Sequence, residues 1–559
     1  MSITGIRWAG PRALLVELTD LASVLAFHHQ LQEEPFPGQL DAVAAAATVL
    51  VKFGTHPQAL AARAVVGDLD VDVLHHEGGR EVTIEVVYDG EDLAEVGRLT
   101  GLGVDGVVTA HTSQVWTAAF GGFAPGFTYL VGENSSLTVP RRTSPRTAVP
   151  AGAVALGGEF SAVYPRQSPG GWQLIGRTSA VLWDLDREQP ALIRPGDKVR
   201  YVAVGVAEAG TALTVASGTP AMKGQVQSEV LVNGLAVDSP GLQSLVQDLG
   251  RPGLGDLGVS ASGAADQRSA RQANRLVGNE AGAAVVENLL GGLTVRAKGD
   301  QVLATAGATV PLEIRSADGV ALRHPVGGSP FALLDGESLT LGTPSSGLRC
   351  YLAARGGIDV PPVLGSRSSD SMSGVGPLPL AAGSLLPVAA VEGVRPVGHP
   401  EASTLRLGSV STDLRVTFGP RDDWFTEQAL LTLSGQEWHV TEQSNRIGVR
   451  LVPSAGNGQS LARSREGELA SEGAVAGALQ VPPSGNPVLF LADHPVTGGY
   501  PVIAVVVPED LPTAAQLPPG HRVRFTVVHP STLEPLEPAV PLHHQAPAVS
   551  GAISEGIPS

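Results

Sequence analysis

Residues 241–290 read GLQSLVQDLGRPGLGDLGVSASGAADQRSARQANRLVGNEAGAAVVENLL, and the rest of the chain is organised around them. An apolar run leads into a loop rich in glycine and proline that carries charges of both signs. Good helix formers follow from 264 to 277, with Ser262 in a position to cap the helix and Gly278 in a position to end it. A charged, glycine-rich loop before a helix is typical of ligand contact, although an ordinary domain-opening loop has the same composition.

The composition is that of a large globular protein. A chain of 559 residues with 43% hydrophobic and 16% charged residues is too long for one core and predicts several domains. The net charge of −17 argues against nucleic-acid binding, which favours a basic surface. The single cysteine, Cys350, excludes an intramolecular disulfide, and its apolar neighbours predict a buried strand position. No set of metal ligands is recognisable, so we expect no metal site.

The N-terminal sequence shows no basic segment followed by an apolar block, as a signal peptide would. No apolar run approaches the roughly eighteen residues that cross a bilayer. We therefore expect a cytoplasmic protein that makes no contact with membranes.

The pattern of elements predicts a mainly β protein with α+β parts. A strand at Ala13–Leu18 and a helix that Asp20 caps, running through Leu31, are typical of a small α+β N-terminal domain. Short strands between Gly/Pro turns follow and predict a β-barrel or sandwich. We divide the chain into an N-terminal domain at 1–80, a β-barrel at 81–206, a linker at 207–224, a β-rich part at 225–395, a second barrel at 396–540 and a disordered tail at 541–559.

An internal repeat supports two related barrels. Residues 150–158, 169–176 and 190–201 (PAGAVALGG, PGGWQLIG, PALIRPGDKVRY) have counterparts at 471–479, 497–504 and 513–525 (SEGAVAGAL, TGGYPVIA, TAAQLPPGHRVRF). The segments occur in the same order at similar spacing, as a duplicated barrel requires.

The first half contains GGFAPGFTYL at 121–130, PRR at 140–142 and PGGWQLIGRT at 169–178. These motifs resemble those of the KipI family, the B subunit of bacterial ATP-dependent 5-oxoprolinase, also called allophanate hydrolase subunit one. The opening stretch at 246–279, with ARGGIDVP at 354–361 and the later TGGYP at 497–501, resembles the KipA family, the C subunit of the same enzyme and a carboxyltransferase-type domain. The chain is thus identified as a natural B–C fusion, and the resemblance implies cyclophilin-like barrels.

Arginines beside glycine-rich turns suit phosphate or carboxylate binding, and a histidine can act as a general base. Barrel turns, core packing and surface ion pairs explain the same residues without a ligand. With the resemblance, the predicted catalytic residues are His111, Arg446 and Glu472. The predicted substrate- or nucleotide-binding residues are Pro125, Gly126, Phe127, Arg141, Arg146, Gly170, Gly171, Trp172, Arg177, Asp248, Arg251, Asp266, Gln480, Thr497, Gly498, Gly499 and Tyr500.

The resemblance implies ATP-dependent hydrolysis of the lactam of 5-oxoproline to glutamate, with Mg²⁺ accompanying ATP and with a separate A subunit of the LamB/YcsF type as partner. The sequence has neither the GxxxxGK[ST] phosphate loop nor the Met-Lys-Met biotin acceptor motif. Two alternatives remain: a protein-binding regulator of a histidine kinase, or the carboxyltransferase component of a biotin-dependent, urea carboxylase-like enzyme. A homo-oligomer is compatible with all three.

Overall fold

The computed structural model describes residues 3–69, 79–144, 146–205, 233–391, 396–454, 458–467 and 469–536. The predicted linker at 207–224 and the predicted tail at 541–559 lie outside these residues. The described chain is mainly β, with two barrel-like sheets, as predicted. No helix in the described part is both long and apolar enough to cross a membrane.

The N-terminal part is a four-stranded antiparallel sheet with two helices packed on it. Its elements are β1 (Ile3–Trp8), β2 (Ala13–Leu18), α1 (Leu21–Glu33), β3 (Gln39–Ala44), β4 (Thr48–Phe53) and α2 (His56–Val66), with sheet order β1-β2-β4-β3. The carboxylate of Asp20 caps α1 by accepting from the backbone N–H of Ser23 over 2.8 Å, as the sequence predicts. The buried faces of both helices close an apolar core that continues into the first barrel.

The first barrel begins at β5 and carries two helices between its first two strands. Its elements are β5 (Glu81–Val86), α3 (Leu93–Thr100), α4 (Gly103–Thr112), β6 (Trp116–Gly121), β7 (Thr128–Gly132), β8 (Arg146–Val149), β9 (Ala153–Gly157), β10 (Phe160–Val163), β11 (Ser168–Gly170), β12 (Gln173–Arg177) and β13 (Lys198–Ala203). Seven strands run in the order β12-β9-β10-β7-β6-β13-β5, and β8 pairs with β11 beside them. A bridge between Val87 and Arg177 joins the two outer strands, so the sheet curls into a barrel.

Two packed sheets and one helix follow the first barrel. They comprise β14 (Gly234–Pro240), β15 (Gln243–Gln247), α5 (Gln267–Val277), β16 (Val285–Leu289), β17 (Leu293–Lys298), β18 (Gln301–Thr309), β19 (Leu312–Arg315), β20 (Ala321–Arg323), β21 (Phe331–Leu333), β22 (Ser338–Leu341), β23 (Ser346–Ala354) and β24 (Leu385–Pro387). The sheets have orders β20-β19-β22-β17-β14-β24 and β15-β16-β23-β18-β21 and enclose one apolar core. Cys350 is buried in β23, as predicted.

The second barrel is closed. Its elements are β25 (Ser411–Phe418), α6 (Glu427–Gly435), β26 (Trp438–Val440), β27 (Gly448–Pro453), β28 (Glu472–Gly473), β29 (Ala478–Gln480), β30 (Val488–Phe490), β31 (Thr497–Gly498), β32 (Val502–Val506), α7 (Leu511–Ala514) and β33 (Arg522–Val527). The barrel order is β25-β32-β29-β30-β27-β26-β33, with β28 paired to β31.

The two barrels share one topology, down to individual side chains. In each, the first and last strands pair in parallel (β5 with β13, β25 with β33). Trp116 lies opposite Val199 and Trp438 lies opposite Val523 in the matching ladders. Each indole N–H donates over 3.0 Å to a carbonyl five residues earlier, that of His111 in one barrel and of Leu433 in the other. The repeat seen in the sequence is therefore a structural duplication.

Candidate functional site

The two barrels meet through a glycine-rich turn from each. In the first turn, after β6, Phe123 and Gly126 take left-handed backbone conformations with φ of 59° and 78°. The N–H of Phe123 donates to Oγ1 of Thr497 over 2.9 Å, and the N–H of Gly126 donates to the carbonyl of Leu257 over 3.2 Å. The second half of the chain therefore holds the turn of the first half at two points.

The turn of the second barrel presents a tyrosine to solvent. Tyr500 is 40% exposed, and its carbonyl accepts a hydrogen bond of 3.2 Å from Nε2 of Gln480. The guanidinium carbon of Arg463 lies 5.8 Å from the centroid of the Tyr500 ring, within the range of a cation–π contact. This turn thus combines an exposed aromatic ring with a cation.

Arg141 of the first half reaches the same turn. A methyl group added at Gly499 would lie 3.1 Å from Nη1 of Arg141, so the guanidinium rests against the glycine. The guanidinium carbon of Arg141 also lies 5.9 Å from the ring centroid of Trp172. We call Arg141, Gly499, Tyr500 and Arg463 the junction site. Two guanidinium groups beside a glycine turn can bind a carboxylate or a phosphate.

A cavity of about 520 Å³ opens beside the junction site and is lined in part by Arg463 and Arg465. Arg465 forms an ion pair of 2.8 Å with Asp423. Arg463 donates through Nη2 to the carbonyl of Val481, and its Nε is buried without an acceptor among the described residues. Arg463 therefore brings a positive charge to the cavity wall, which the carboxylate-bearing Glu466 also lines.

Glu472 lies in an ion-pair bridge between the N-terminal sheet and the second barrel. It is 9% exposed and accepts from Nε of Arg421 over 2.9 Å, and Arg421 also pairs with Glu17 of β2. Burial raises the pKa of Glu472 above its ordinary value, against the effect of Arg421. This geometry gives Glu472 a structural role; its predicted catalytic role stays a prediction.

His111 lies inside the first barrel. It has no exposed surface, and its Nδ1 and Nε2 contact the Tyr88 hydroxyl at 2.7 Å and the Ser161 hydroxyl at 3.0 Å. Burial lowers the pKa of His111 to about 3, so the ring is neutral at pH 7. No substrate reaches the ring in this arrangement. The geometry makes His111 part of the barrel core, and its predicted catalytic role stays a prediction.

Arg446 is likewise enclosed, at 2% exposure. It donates to Asp493 over 2.9 and 2.8 Å, to Glu287 over 2.6 Å and to the carbonyl of Gly263 over 2.6 Å. These contacts join the second barrel to the stretch before α5 and to β16. Arg446 thus holds two parts of the second half together, and its predicted catalytic role stays a prediction.

Asp248 and Asp266 accept hydrogen bonds from neighbouring loop and helix residues. Asp248 accepts from Oγ of Ser366 and from the N–H of Arg367, each over 2.6 Å. Asp266 caps α5 by accepting from the N–H of Ser269 over 2.9 Å. The prediction that Ser262 caps this helix is wrong, because α5 begins only at Gln267, with Asp266 as its cap, and Ser262 has a left-handed backbone with φ of 52°.

The remaining predicted binding residues pack or pair locally. Phe127 and Trp172 are buried with ring centroids 5.6 Å apart, and Pro125, Gly170 and Gly171 lie within two residues of them in the chain, with Gly170 at the end of β11. Arg146 pairs with Asp92 at 2.9 Å, and Arg177 pairs with Asp89 at 2.9 Å. Arg251 is 3% exposed and donates to the carbonyls of Val363 and Ser368.

Of the predicted residues, the structure brings together Arg141, Gln480 and the Thr497–Tyr500 turn. The other predicted residues lie outside this turn, in ion pairs, loops or the buried core. Sequence reasoning missed Arg463 and Arg465. These two arginines stand in a loop without a recognisable motif.

Two family models match the chain. Residues 4–193 match the family described as carboxyltransferase domain, subdomain C and D, and residues 257–527 match carboxyltransferase domain, subdomain A and B. The chain belongs to this carboxyltransferase-domain family.

Within the family, the chain is similar to two kinds of 5-oxoprolinase component. It is 37% identical over 297 residues to the 5-oxoprolinase C subunit of Escherichia coli (strain K12). The aligned region covers 52% of this chain and 90% of that protein. It is 34% identical over 190 residues to the 5-oxoprolinase B subunit of Bacillus subtilis (strain 168), which covers 31% of this chain and 79% of that protein. The chain is therefore a fusion-like protein that unites B-type and C-type halves.

Two further relatives bear on the architecture. The crystal structure of TTHA0988 is 35% identical, covers 92% of this chain and 99% of its own, and superposes with a TM-score of 0.78. Urea amidolyase of Lachancea kluyveri is 32% identical over 316 residues, which cover 52% of this chain and 17% of that protein. The joined arrangement of the two halves thus has a solved counterpart.

Proposed function

We propose that the chain is the B–C component of an ATP-dependent 5-oxoprolinase, which opens the lactam of 5-oxoproline to glutamate while ATP is converted to ADP and phosphate. The observation that carries the proposal is the union of B-type and C-type halves in one chain, with turns from the two barrels locked together by the Phe123–Thr497 hydrogen bond. A substrate held at this junction would touch both halves. The reaction would take place in the cytoplasm.

The junction site supplies the charge that such a reaction needs. 5-Oxoproline carries a carboxylate and ATP carries phosphates, and both suit the guanidinium groups of Arg141 and Arg463. A lactam carbonyl is a poor electrophile, so ATP would activate it by phosphorylating the carbonyl oxygen before water attacks. The two arginines would stabilise the negative charge on the transferred phosphoryl group. Tyr500 would provide an aromatic surface beside them.

Magnesium would accompany ATP in this scheme. The described residues contain no group of three or more His, Cys, Asp or Glu side chains that could hold a metal ion. A magnesium ion would then take its ligands chiefly from phosphate oxygens and water, as Mg²⁺ commonly does with nucleotides. The residues of this chain would bind the phosphates and not the ion.

An A subunit of the LamB/YcsF type would complete the enzyme. We test the role of the junction site by measuring glutamate formation from 5-oxoproline and ATP in a mixture of this chain and a candidate A subunit. Arg141→Gln and Arg463→Gln should each lower kcat/KM by about tenfold or more, the effect of one charge-assisted hydrogen bond. Arg98→Gln on the surface of α3, where Arg98 is 70% exposed, should leave kcat/KM unchanged. Equal rates for all three variants would refute the assignment.

Carboxyl transfer is the second candidate, favoured by the family descriptions and by the urea amidolyase relative. It would require a biotin-carrying partner, and the junction site would hold the carboxyl group in transit. Transfer of labelled carboxylate from carboxybiotin to urea by this chain, without ATP-dependent 5-oxoproline turnover, would select this candidate.

A further inference from the structure

Hydrogen bonds hold in place the two loops that form the cavity of about 520 Å³ beside the junction site. The first loop lies before β28 and the second joins β29 to β30. The N–H of Leu461 donates to the carbonyl of Gly485 over 2.9 Å, which ties the two loops together. The N–H of Ser464 donates to the carbonyl of Trp424 over 2.8 Å, which ties the first loop to the barrel. The cavity is therefore part of the fold, as sites for small molecules usually are.

Two arginines of the first loop line this cavity. Arg463 contacts the carbonyl of Val481 and the ring of Tyr500, and neither of these groups is charged at pH 7. Arg465 is 54% exposed and forms its ion pair with Asp423 over 2.8 Å. The wall thus presents two guanidinium groups to one space. Each guanidinium group carries five N–H donors, so each can donate to a ligand as well as to its protein partner.

The same wall also carries an acid and two hydroxyl groups. Glu466, Ser460 and Ser484 line the cavity, and all three are exposed. Glu466 on the wall and Asp423 in its pair with Arg465 balance the charge of the two arginines. Net charge alone therefore does not draw an anion into the cavity. A matching ligand has to present anionic oxygens to the guanidinium groups and hydroxyl hydrogens to the carboxylate, which accepts hydrogen bonds and repels anions.

We infer that this cavity is a nucleotide subsite and that it binds a ribonucleoside triphosphate. The guanidinium groups of Arg463 and Arg465 donate to the phosphate oxygens. The carboxylate of Glu466 accepts a hydrogen bond from a ribose hydroxyl group. The ring of Tyr500 is 40% exposed, and its centroid lies 5.8 Å from the guanidinium carbon of Arg463, so it offers a stacking surface for the base.

The size of the cavity favours a nucleotide over the smaller reactant. Sites for drug-sized ligands measure roughly 300–1,000 Å³, and a cavity of about 520 Å³ lies within that range. 5-Oxoproline, a single small ring with one carboxylate, leaves most of such a cavity unfilled and carries no hydroxyl group for Glu466. The inference rests on the proposed function, in which ATP is a substrate, and it assigns the nucleotide to the C-type half of the chain.

Nucleotide binding can be measured on the full chain without turnover. Isothermal titration calorimetry, with Mg²⁺ and without 5-oxoproline, compares ATP with 2′-deoxy-ATP and 3′-deoxy-ATP. We expect one ATP per chain, and about tenfold weaker binding for at least one deoxy analogue, the effect of one hydrogen bond to a charged group. Glu466→Ala should remove this discrimination, whereas Glu442→Ala, at another exposed acid, should retain it.

The phosphate contact is tested in the same titrations. Arg465→Gln should weaken ATP binding by about tenfold, and Arg98→Gln, at a residue that is 70% exposed on α3, should bind ATP as the wild type does. Glu466 and Arg465 are both exposed, and thermal melts establish that their variants are folded.

Four results would each overturn the inference: no ATP binding to the full chain, equal affinity for ATP and both deoxy analogues, discrimination that persists in Glu466→Ala, or unchanged ATP affinity in Arg465→Gln. Glutamate formation in the mixture with the A subunit judges the proposed function separately. Turnover by the mixture together with unchanged ATP affinity in Arg465→Gln would refute the nucleotide subsite and leave the proposed function in place.

Discussion

Replacing Arg446 by Met should remove the cation that neutralises two buried acids. Arg446 makes four hydrogen bonds, three to Asp493 and Glu287 and one to the carbonyl of Gly263. The acids keep other donors: Asp493 retains Ser371, and Glu287 retains the hydroxyl of Tyr351 at 2.8 Å. Breaking a buried ion pair by removing one partner costs about 3–5 kcal/mol. We expect a loss of free energy of unfolding within that range.

The loss should depend on pH, with a sign that the structure fixes. Burial alone would raise the pKa of Glu287 and of Asp493, but Arg446 holds both below their ordinary values. In the wild type, the lowered pKa values of these acids therefore stabilise the fold at pH values above their unfolded pKa of about 4. This stabilisation is lost as the pH falls through their folded pKa values. Without Arg446, burial raises the folded pKa of Asp493, so protonation then favours the folded state, whereas Glu287 keeps a cation in Arg349 at 3.4 Å. The difference between variant and wild type should shrink between pH 7 and pH 4.5.

Urea unfolding followed by circular dichroism, at pH 7 and at pH 4.5, measures both effects. Arg450→Met is the matched control, because Arg450 is exposed on the neighbouring strand and its loss should change the free energy of unfolding by less than about 0.5 kcal/mol. A loss below about 1 kcal/mol for Arg446→Met, or a loss equal at the two pH values, would refute the reasoning.

Single contacts support three further predictions. A methyl group added at Gly122 would lie 2.5 Å from Oγ1 of Thr497, so Gly122→Ala should lower the free energy of unfolding by about 1–3 kcal/mol. A methyl group added at Gly435 would meet nothing within 4 Å, so Gly435→Ala should change the free energy of unfolding by less than about 1 kcal/mol. Thermal melts of the two variants compare these effects. Because the folded pKa of His111 is about 3, its ring signals should not titrate between pH 5 and pH 8 in NMR spectra, and its contribution to stability should fall as the pH drops below about 6.5. Arg421→Met should speed hydrogen exchange in β2 and β28, which it joins through two carboxylates; unchanged exchange there would contradict the bridge.

Local signals in the sequence predicted much of the fold. The Asp20 cap, the strand at Ala13–Leu18 and the helix stop at Gly278 depend on neighbouring residues, so each is readable from a short window. The duplication was readable because the repeat keeps both order and spacing. The edge strands β1 and β3 were missed, since their alternation is weak and only pairing with β2 and β4 defines them.

The site was less predictable, because its contacts join distant parts of the chain. Thr497 meets Phe123 across 374 residues, and Arg446 meets Glu287 across 159. In sequence, a polar residue that binds a ligand cannot be distinguished from one that joins two segments of the chain by hydrogen bonds. Arg446 and Glu472 each join separate parts of the chain here and Asp266 caps α5, while their predicted roles in a site stay predictions.

The central claim is that this chain supplies the B and C parts of one enzyme. The most direct measurement is the release of glutamate and ADP from 5-oxoproline and ATP by this chain alone, by a candidate A subunit alone and by the two together. We predict turnover only in the mixture, with one glutamate formed for each ADP. No glutamate in the mixture, or ADP release that does not depend on 5-oxoproline, would contradict the claim.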